Sequence, residues 1–275
     1  MARRARTRQL TGAQRLIVLL VFAYLGLILV LPLGALALHA LAQGPGTLLL
    51  TLTEPAARQG LLLTLFVAII CVAANGLFGV AGALVLTRHR FLGRRVLDAL
   101  VDLPLAVSPV MTGLAFLLIF GRGGWLDGPL DLLGLQVTFA VPGLVLATLF
   151  VTFPFTLREV AYVLEELGTS EEQAAMTLGA SPWQTFWLVT LPNIRFGLGY
   201  GIVLTLARAL GEFGAVLVVG GAISGRTQTA TTFIYNALEE RREAAAYGMA
   251  LLLAVISVAL LVAIEWLKRR RERGQ

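Results

Sequence analysis

Six apolar stretches, each about the 20 residues that a helix needs to cross a bilayer, limit what this chain can fold into more than any other feature. They run approximately from Leu16 to Leu38, Leu61 to Leu86, Leu103 to Phe120, Phe139 to Leu157, Phe196 to Val219 and Ala244 to Leu267. Lipid offers backbone N–H and C=O groups no partner, and a helix satisfies them within its own segment. The expected fold class is therefore an all-α polytopic membrane protein with six transmembrane helices. Hydrophobic residues make up 57% of the chain and charged residues 14%, against roughly 45–50% and about 25% in soluble domains.

The net charge of +6 does not call for a nucleic-acid partner, because the basic residues sort by membrane side. Sixteen of the 22 fall on one side: Arg3, Arg4, Arg6, Arg8 and Arg15 before the first span; Arg88, Arg90, Arg94 and Arg95 after the second; Arg158 and Arg195 around the longest insert; and Lys268, Arg269, Arg270, Arg271 and Arg273 in the tail. Both ends and that insert are expected to be cytoplasmic. A basic start followed by an apolar run, with Ala40-Leu41-Ala42 behind it, has the outline of a secretory signal. Yet Leu16 to Leu38 exceeds the core of about 7–15 residues such signals carry, so an uncleaved span is expected. The chain divides into a basic segment with the first span (1–59), a core (60–266) and a basic tail (267–275). The lone Cys71 lies in the second span and excludes both an intramolecular disulfide and a cysteine metal cluster. His39 and His89 fall in or beside loops on opposite sides, so they share no metal.

The insert Thr169 to Pro192 is built rather than merely connective. Ser170 with Gln173, and equally Thr169 with Glu172, fits a capping box, predicting a short helix from about Glu171 to Leu178. Gly179 supplies a left-handed stop, Ser181 caps again, and Pro182 takes a first helical position where its missing N–H is harmless. The second helix puts Trp183, Phe186 and Trp187 on one side and is expected to end at Leu191-Pro192. Two short helices at a glycine turn could read DNA, but Arg158 to Arg195 holds five glutamates against two arginines, the wrong sign for phosphate.

Within the spans, breakers and charges mark special places. Pro104 and Pro109 interrupt the third span, which is tolerated only where protein or a water-filled cavity covers the freed backbone. Ser108 and Thr112 beside that interruption are candidate anion contacts through their hydroxyls. Pro142 and Pro154 are expected to kink the fourth span. Arg208 and Glu212 sit midway in the fifth, where each charge costs roughly 2.5–3.5 kcal/mol on insertion scales. Four residues apart, they neutralise each other; Arg208 either offers positive potential to an anion or serves a structural bridge. Asp102, near a span end, is a gate candidate or an interfacial structural residue. Gly76, Gly79, Gly82 and Ala83, and the pair Gly197 and Gly201, predict close helix packing. The segment Gly220 to Glu243 is polar, and its charge cluster Glu239 to Glu243 reads as a solvated face.

No phosphate-binding G-x-x-x-x-G-K-[ST] occurs, and Lys268 is the only lysine. No Ser-His-Asp or Cys-His set has support. The chain is thus expected to be no enzyme and to take its energy from another subunit.

The insert resembles the cytoplasmic coupling loop of ABC importer permeases, written E-A-A, three residues, Gly, nine residues, Ile, one residue, Leu-Pro. Here it reads Gln173-Ala174-Ala175, Gly179, Val189 and Leu191-Pro192, every spacing kept. Gln173 replaces the usual Glu, leaving Glu172 or Glu171 to supply the charge toward an ATPase. Asp102 to Val110, Phe150 to Phe155, Thr177 to Ser181, Leu191 to Ile194 and Arg208 to Ala215 resemble the sulfate/thiosulfate permeases of the CysW kind, across about residues 61 to 265. That resemblance implies the type I ABC importer permease fold, a bacterial inner-membrane location and a second permease of the same fold, of the CysT kind. It further implies two ATPase subunits that carry the ATP and Mg, an external sulfate-binding protein, and no cofactor in this chain. The Arg208 run is shared with molybdate permeases, so molybdate or tungstate is the alternative cargo. A secondary transporter or channel, and a non-transporting membrane anchor, are alternatives of other classes.

Overall fold

The computed structural model describes residues 11–42, 46 and 51–272, and among them there is helix but no strand. Arg3, Arg4, Arg6, Arg8 and Arg273 lie outside the described residues, as do the side chains of Lys268 to Arg271. In chain order the helices are α1 (Gly12–Ala42), α2 (Pro55–Arg88), α3 (Arg94–Ala106), α4 (Pro109–Phe120), α5 (Asp127–Leu132), α6 (Val141–Leu167), α7 (Ser170–Thr177), α8 (Pro182–Leu210), α9 (Gly214–Gly220), α10 (Ala230–Glu239) and α11 (Glu243–Glu272). Helices α1, α2, α6, α8 and α11 are long and apolar enough to span a membrane, and the bent pair α3–α4 makes the sixth.

Helix α6 forms the centre. Helix α2 lies parallel to it, as successive contacts show: Cys71 Sγ to the Val145 carbonyl, Asn75 Nδ2 donating to Thr152 Oγ1 at 2.7 Å, and Arg88 reaching Leu164. Helix α8 lies antiparallel and packs against both α6 and α2. A Cβ on Gly79 would stand 3.1 Å from Thr156 Cγ2, and one on Gly201 would stand 2.7 Å from Thr156 Cα. Small residues thus let three backbones approach, the van der Waals contact on which helix association in lipid depends. Gly79, Gly82, Gly197 and Gly201 act as expected, whereas Gly76 meets nothing within 4 Å. The Thr156 and Thr205 hydroxyls, 2.9 Å apart and fully buried, bond across the α6–α8 contact.

Two expected spans are not single helices. The third bends by 114° between α3 and α4. Val107 and Ser108 are extended (ψ 135° and 138°), Ser108 because the residue before a proline avoids the helical region. The fifth stops at Leu210, passes through Gly211 to Phe213 and resumes as α9. Helix α8 in turn begins earlier than expected, since Leu191-Pro192 does not end the helix started at Pro182. A wide turn at Phe186–Thr190, in which Leu191 N–H bonds Phe186 O, shifts the carbonyls that the Pro192 ring would meet, and the helix continues. Helix α6 likewise runs unbroken through Pro154, with Pro142 harmless in its first turn.

The segment Gly220 to Glu243 is less polar in structure than in sequence. It contains α10, whose Phe233 is fully buried against Ala57, Met249 and Leu253. Thr229 caps α10 in a box with Thr232. In the charge cluster, Arg242 pairs with Glu54 and Glu240, each at 2.7 Å, so it ties the start of α2 to the α10–α11 junction. Hydrogen bonding to Glu54 and then Glu240 raises the Arg242 pKa above its ordinary value. His39 is helical, at the end of α1, with its ring 4.7 Å from Tyr247.

Candidate functional site

The sequence singled out two regions, and the structure places them at different heights of the bundle. The first is the insert between α6 and α8. Thr169 precedes α7, and its hydroxyl accepts from Gln173 Nε2 at 3.0 Å; neither proposed capping box closes. The reason is that Glu172 is drawn away from the helix start to Arg88, 2.8 Å away, and also accepts from Thr190 Oγ1 at 2.9 Å. Glu171 accepts from Asn193 Nδ2. Of the two glutamates expected to face outward, Glu172 is thus turned into this chain's own body, while Glu171 holds Asn193 at the surface. Glu171 remains exposed at the start of α7, and the rest of the outer surface is neutral: Gln173, Ala174, Met176 and Leu178 are exposed, Leu178 at 89%, with Ala175 half-buried.

Gly179 follows with φ +92°, the left-handed conformation that glycine adopts without steric penalty, and its missing side chain faces open space. Ser181 then forms the predicted box with Gln184, whose side chain accepts from Ser181 N–H at 2.8 Å, and Pro182 sits in the first turn. The aromatic side of the second helix forms one cluster, with the Trp183 ring 5.5 Å from Trp187 and 6.1 Å from Phe186. It is not buried within the chain: Trp183 is 69% and Leu188 74% exposed. Val189 and Leu191 are half-buried and Pro192 is exposed. Arg88, Thr190 and Asn193 were not singled out from sequence; only Arg88's place at the basic end of a span gave any signal.

The second region lies where the broken helices meet. Gly214, at the start of α9, comes within contact range of Pro109 and Val110, and a Cβ on Gly113 of α4 would stand 2.7 Å from Val218. The breaks at Ser108 and at Glu212 are therefore neighbours, although about a hundred residues separate them in sequence. Arg208 Nη1 lies 2.7 Å from Glu212 Oε2, with 30% and 1% of the two side chains exposed. The pair bridges the end of α8 and the break rather than one helix face. Glu212 Oε1 also accepts from Ala215 N–H at 3.0 Å, and the Glu212 carbonyl accepts from Thr231 Oγ1 at 2.6 Å. The freed backbone is thus satisfied by protein. Ser108 is exposed as the N-cap of α4, and Thr112 is buried.

Asp102 does not join this region. It takes two bonds from Arg158 of α6, at 2.7 and 2.8 Å, while Asp98 takes a third at 2.6 Å, which fastens α3 to α6. No group of three or more potential metal ligands occurs among the described residues.

This architecture, with a docking-sized insert and paired broken helices, has known counterparts. The family model for the binding-protein-dependent transport system inner membrane component matches residues 75–273. Over 250 residues the chain is 45% identical to the sulfate transport system permease protein CysW of Synechococcus elongatus, covering 91% of this chain and 87% of that one. It is 38% identical over 244 residues to the sulfate transport system permease protein CysT of Escherichia coli K12, covering 89% and 88%. In three dimensions it resembles a chain of the bacterial alginate ABC transporter solved with a pentasaccharide-bound periplasmic protein. The TM-score is 0.77 at 18% identity, with 93% of each chain covered, a likeness of fold. The chain belongs to the binding-protein-dependent transport system inner membrane components, the multi-pass membrane permease subunits of ABC importers.

Proposed function

We propose that this permease carries a tetrahedral oxyanion, sulfate or thiosulfate, inward as half of a permease heterodimer. The observation that carries this reading is the agreement of the coupling-loop register, Gln173 to Pro192, with the likeness to CysW permeases over nine-tenths of the chain. Its partner would be a CysT-type permease, since a CysT relative is similar over nearly the whole chain as well. Two ATPase subunits would sit beneath and supply ATP and Mg, and a sulfate-binding protein would deliver the anion from outside.

In this reading both chain ends and α7 face the cytoplasm. The ATPases would grip Gln173, Ala174, Ala175, Gly179 and the exposed aromatic side of α8, and their closure would rock the two permeases. Because Glu172 is engaged by Arg88 while Glu171 stays exposed, the outer contact would be largely apolar and hydrogen-bonded, with Glu171 the carboxylate left to it. The anion would pass the junction of the broken helices, with Ser108 and Arg208 nearest its path and the buried Glu212 holding Arg208 in place. A dianion needs no full counter-charge when hydroxyls and backbone N–H groups replace its hydration. Thr112, being buried, would support the junction rather than touch the anion.

The test is uptake of labelled sulfate into vesicles holding the complete complex and binding protein. Uptake should require the ATPases and ATP; uptake by the permeases alone would instead indicate a secondary transporter. Competition by thiosulfate, molybdate and tungstate assigns the cargo, and displacement by molybdate at far lower concentration would overturn the sulfate assignment.

A further inference from the structure

We propose that Arg88 and Glu172 form the joint that passes motion of α7 into α2; this builds on the reading that α7 docks an ATPase. Helices α6 and α8 flank the loop covalently, so any displacement of α7 reaches them through the chain. Helix α2 ended some eighty residues earlier, and Arg88, its last residue, makes two of its four hydrogen bonds to α7. The guanidinium fork holds both Glu172 oxygens, at 2.8 and 3.3 Å. It also donates to Leu164 O at 3.0 Å and Gly168 O at 2.7 Å, carbonyls that the end of α6 leaves free. Glu172 adds the bond from Thr190 in the wide turn of α8. One ion pair therefore connects the ends of α2 and α6, the first turn of α7 and the wide turn within α8.

The geometry suits transmission rather than adhesion. Only 14% of Arg88 and 16% of Glu172 is exposed, so the charge-assisted, two-pronged bond is little softened by solvent. The residues around it leave a void of about 10 Å³, room for at most one water. Close packing of this kind passes displacement on instead of absorbing it. Helix α2 is already fastened to α6 along its length by Gly79, Gly82 and the Asn75–Thr152 bond, so the joint is not needed to hold it there. Its distinctive place is on the first turn of α7, while the far end of α7 at Met176 and Leu178 stays exposed. Force applied at that free end would turn α7 about the Glu172 anchor.

The experiment uses the complete complex in lipid vesicles and compares wild type, Arg88→Gln, Glu172→Gln, the double variant and Arg88→Lys. Readouts are ATPase co-purification, binding-protein-stimulated ATP hydrolysis and labelled sulfate uptake. Both single neutralisations should keep the ATPases and their hydrolysis but lower uptake per ATP by about tenfold, within the range of couplings between distant sites. The double variant should be no worse than either single, and Arg88→Lys should fall between. Uptake per ATP within about twofold of wild type in Arg88→Gln would overturn the proposal. So would multiplying effects in the double variant, or loss of the ATPases from both singles. If Arg88→Gln does not accumulate, Glu172→Gln carries the test; failure of both to accumulate would make the pair a folding element and overturn it too. A Met176→Cys complex that forms no crosslink to the ATPase would overturn the docking reading instead, because it leaves the joint untouched.

Discussion

Removing Arg208 should harm this protein far more than removing its partner Glu212, because the two ends of the pair are unequally buried. The Glu212 carboxylate is 1% exposed, whereas 30% of the Arg208 side chain is left uncovered by this chain. In Arg208→Ala the carboxylate keeps one neutral donor, Ala215 N–H at 3.0 Å. Stranding a buried charge in this way costs about 3–5 kcal/mol. Glu212→Ala leaves a guanidinium that this chain does not enclose and that faces the proposed anion route, and loses the bond to Ala215 N–H at the start of α9, together roughly 1–2 kcal/mol. The double variant Arg208→Ala/Glu212→Ala contains no stranded charge, so it should be more stable than Arg208→Ala alone. Thermal unfolding of the purified protein, followed by tryptophan fluorescence, reads this order. At about 2–4 °C per kcal/mol for chains near this length, Arg208→Ala should lower Tm by roughly 10 °C and Glu212→Ala by less than about half of that. A double variant less stable than Arg208→Ala, or equal losses in the two singles, would refute the assignment of the buried charge.

Three further outcomes are expected. Gly201→Ala places a Cβ 2.7 Å from Thr156 Cα, a backbone atom that cannot step aside, so it should lose about 1–3 kcal/mol and accumulate poorly. Gly76→Ala meets nothing within 4 Å and should be neutral or stabilising by up to about 1 kcal/mol, as measured by the same unfolding assay. Gly179→Val forces a β-branched residue to φ +92° at a strain of about 1–3 kcal/mol; with open space around it, the protein should still reach the membrane. ATP-dependent sulfate uptake should be lost in that variant, and unimpaired uptake would count against the turn's role.

The helical class and the spans were legible because lipid imposes one rule on every residue of a crossing segment: the backbone must satisfy itself. Gly197 and Gly201 announced a close helix contact, though not with which helix, for the same local reason, as only small residues let backbones meet. The two breaks were half visible. Ser108-Pro109 carries a steric instruction that acts on the neighbouring residue, but the end of α8 at Leu210 depends on Thr231 and Ala215 satisfying Glu212, partners supplied by folding. Pro192 misled for a comparable reason, since the wide turn at Phe186–Thr190 that accommodates it leaves no mark in the sequence pattern. In the coupling loop, Gly179 and Ser181 showed their conformations directly. The direction of Glu172 could not be read, because its attractor Arg88 lies 84 residues earlier. Helix α10 was hidden by its threonines, which look polar in sequence yet turn their hydroxyls to backbone groups, as Thr231 and Thr232 do.

The account stands on α7 being an inward-facing handle grasped by an ATPase, and thiol labelling at Leu178→Cys tests this most directly. The introduced thiol sits on a side chain that is 89% exposed, while the native Cys71 is buried and silent. A membrane-impermeant reagent should label it in inside-out vesicles stripped of ATPase and not in intact cells, and rebinding the ATPase subunits should block the label. Labelling from outside intact cells, or labelling that bound ATPase leaves undiminished, would contradict the account.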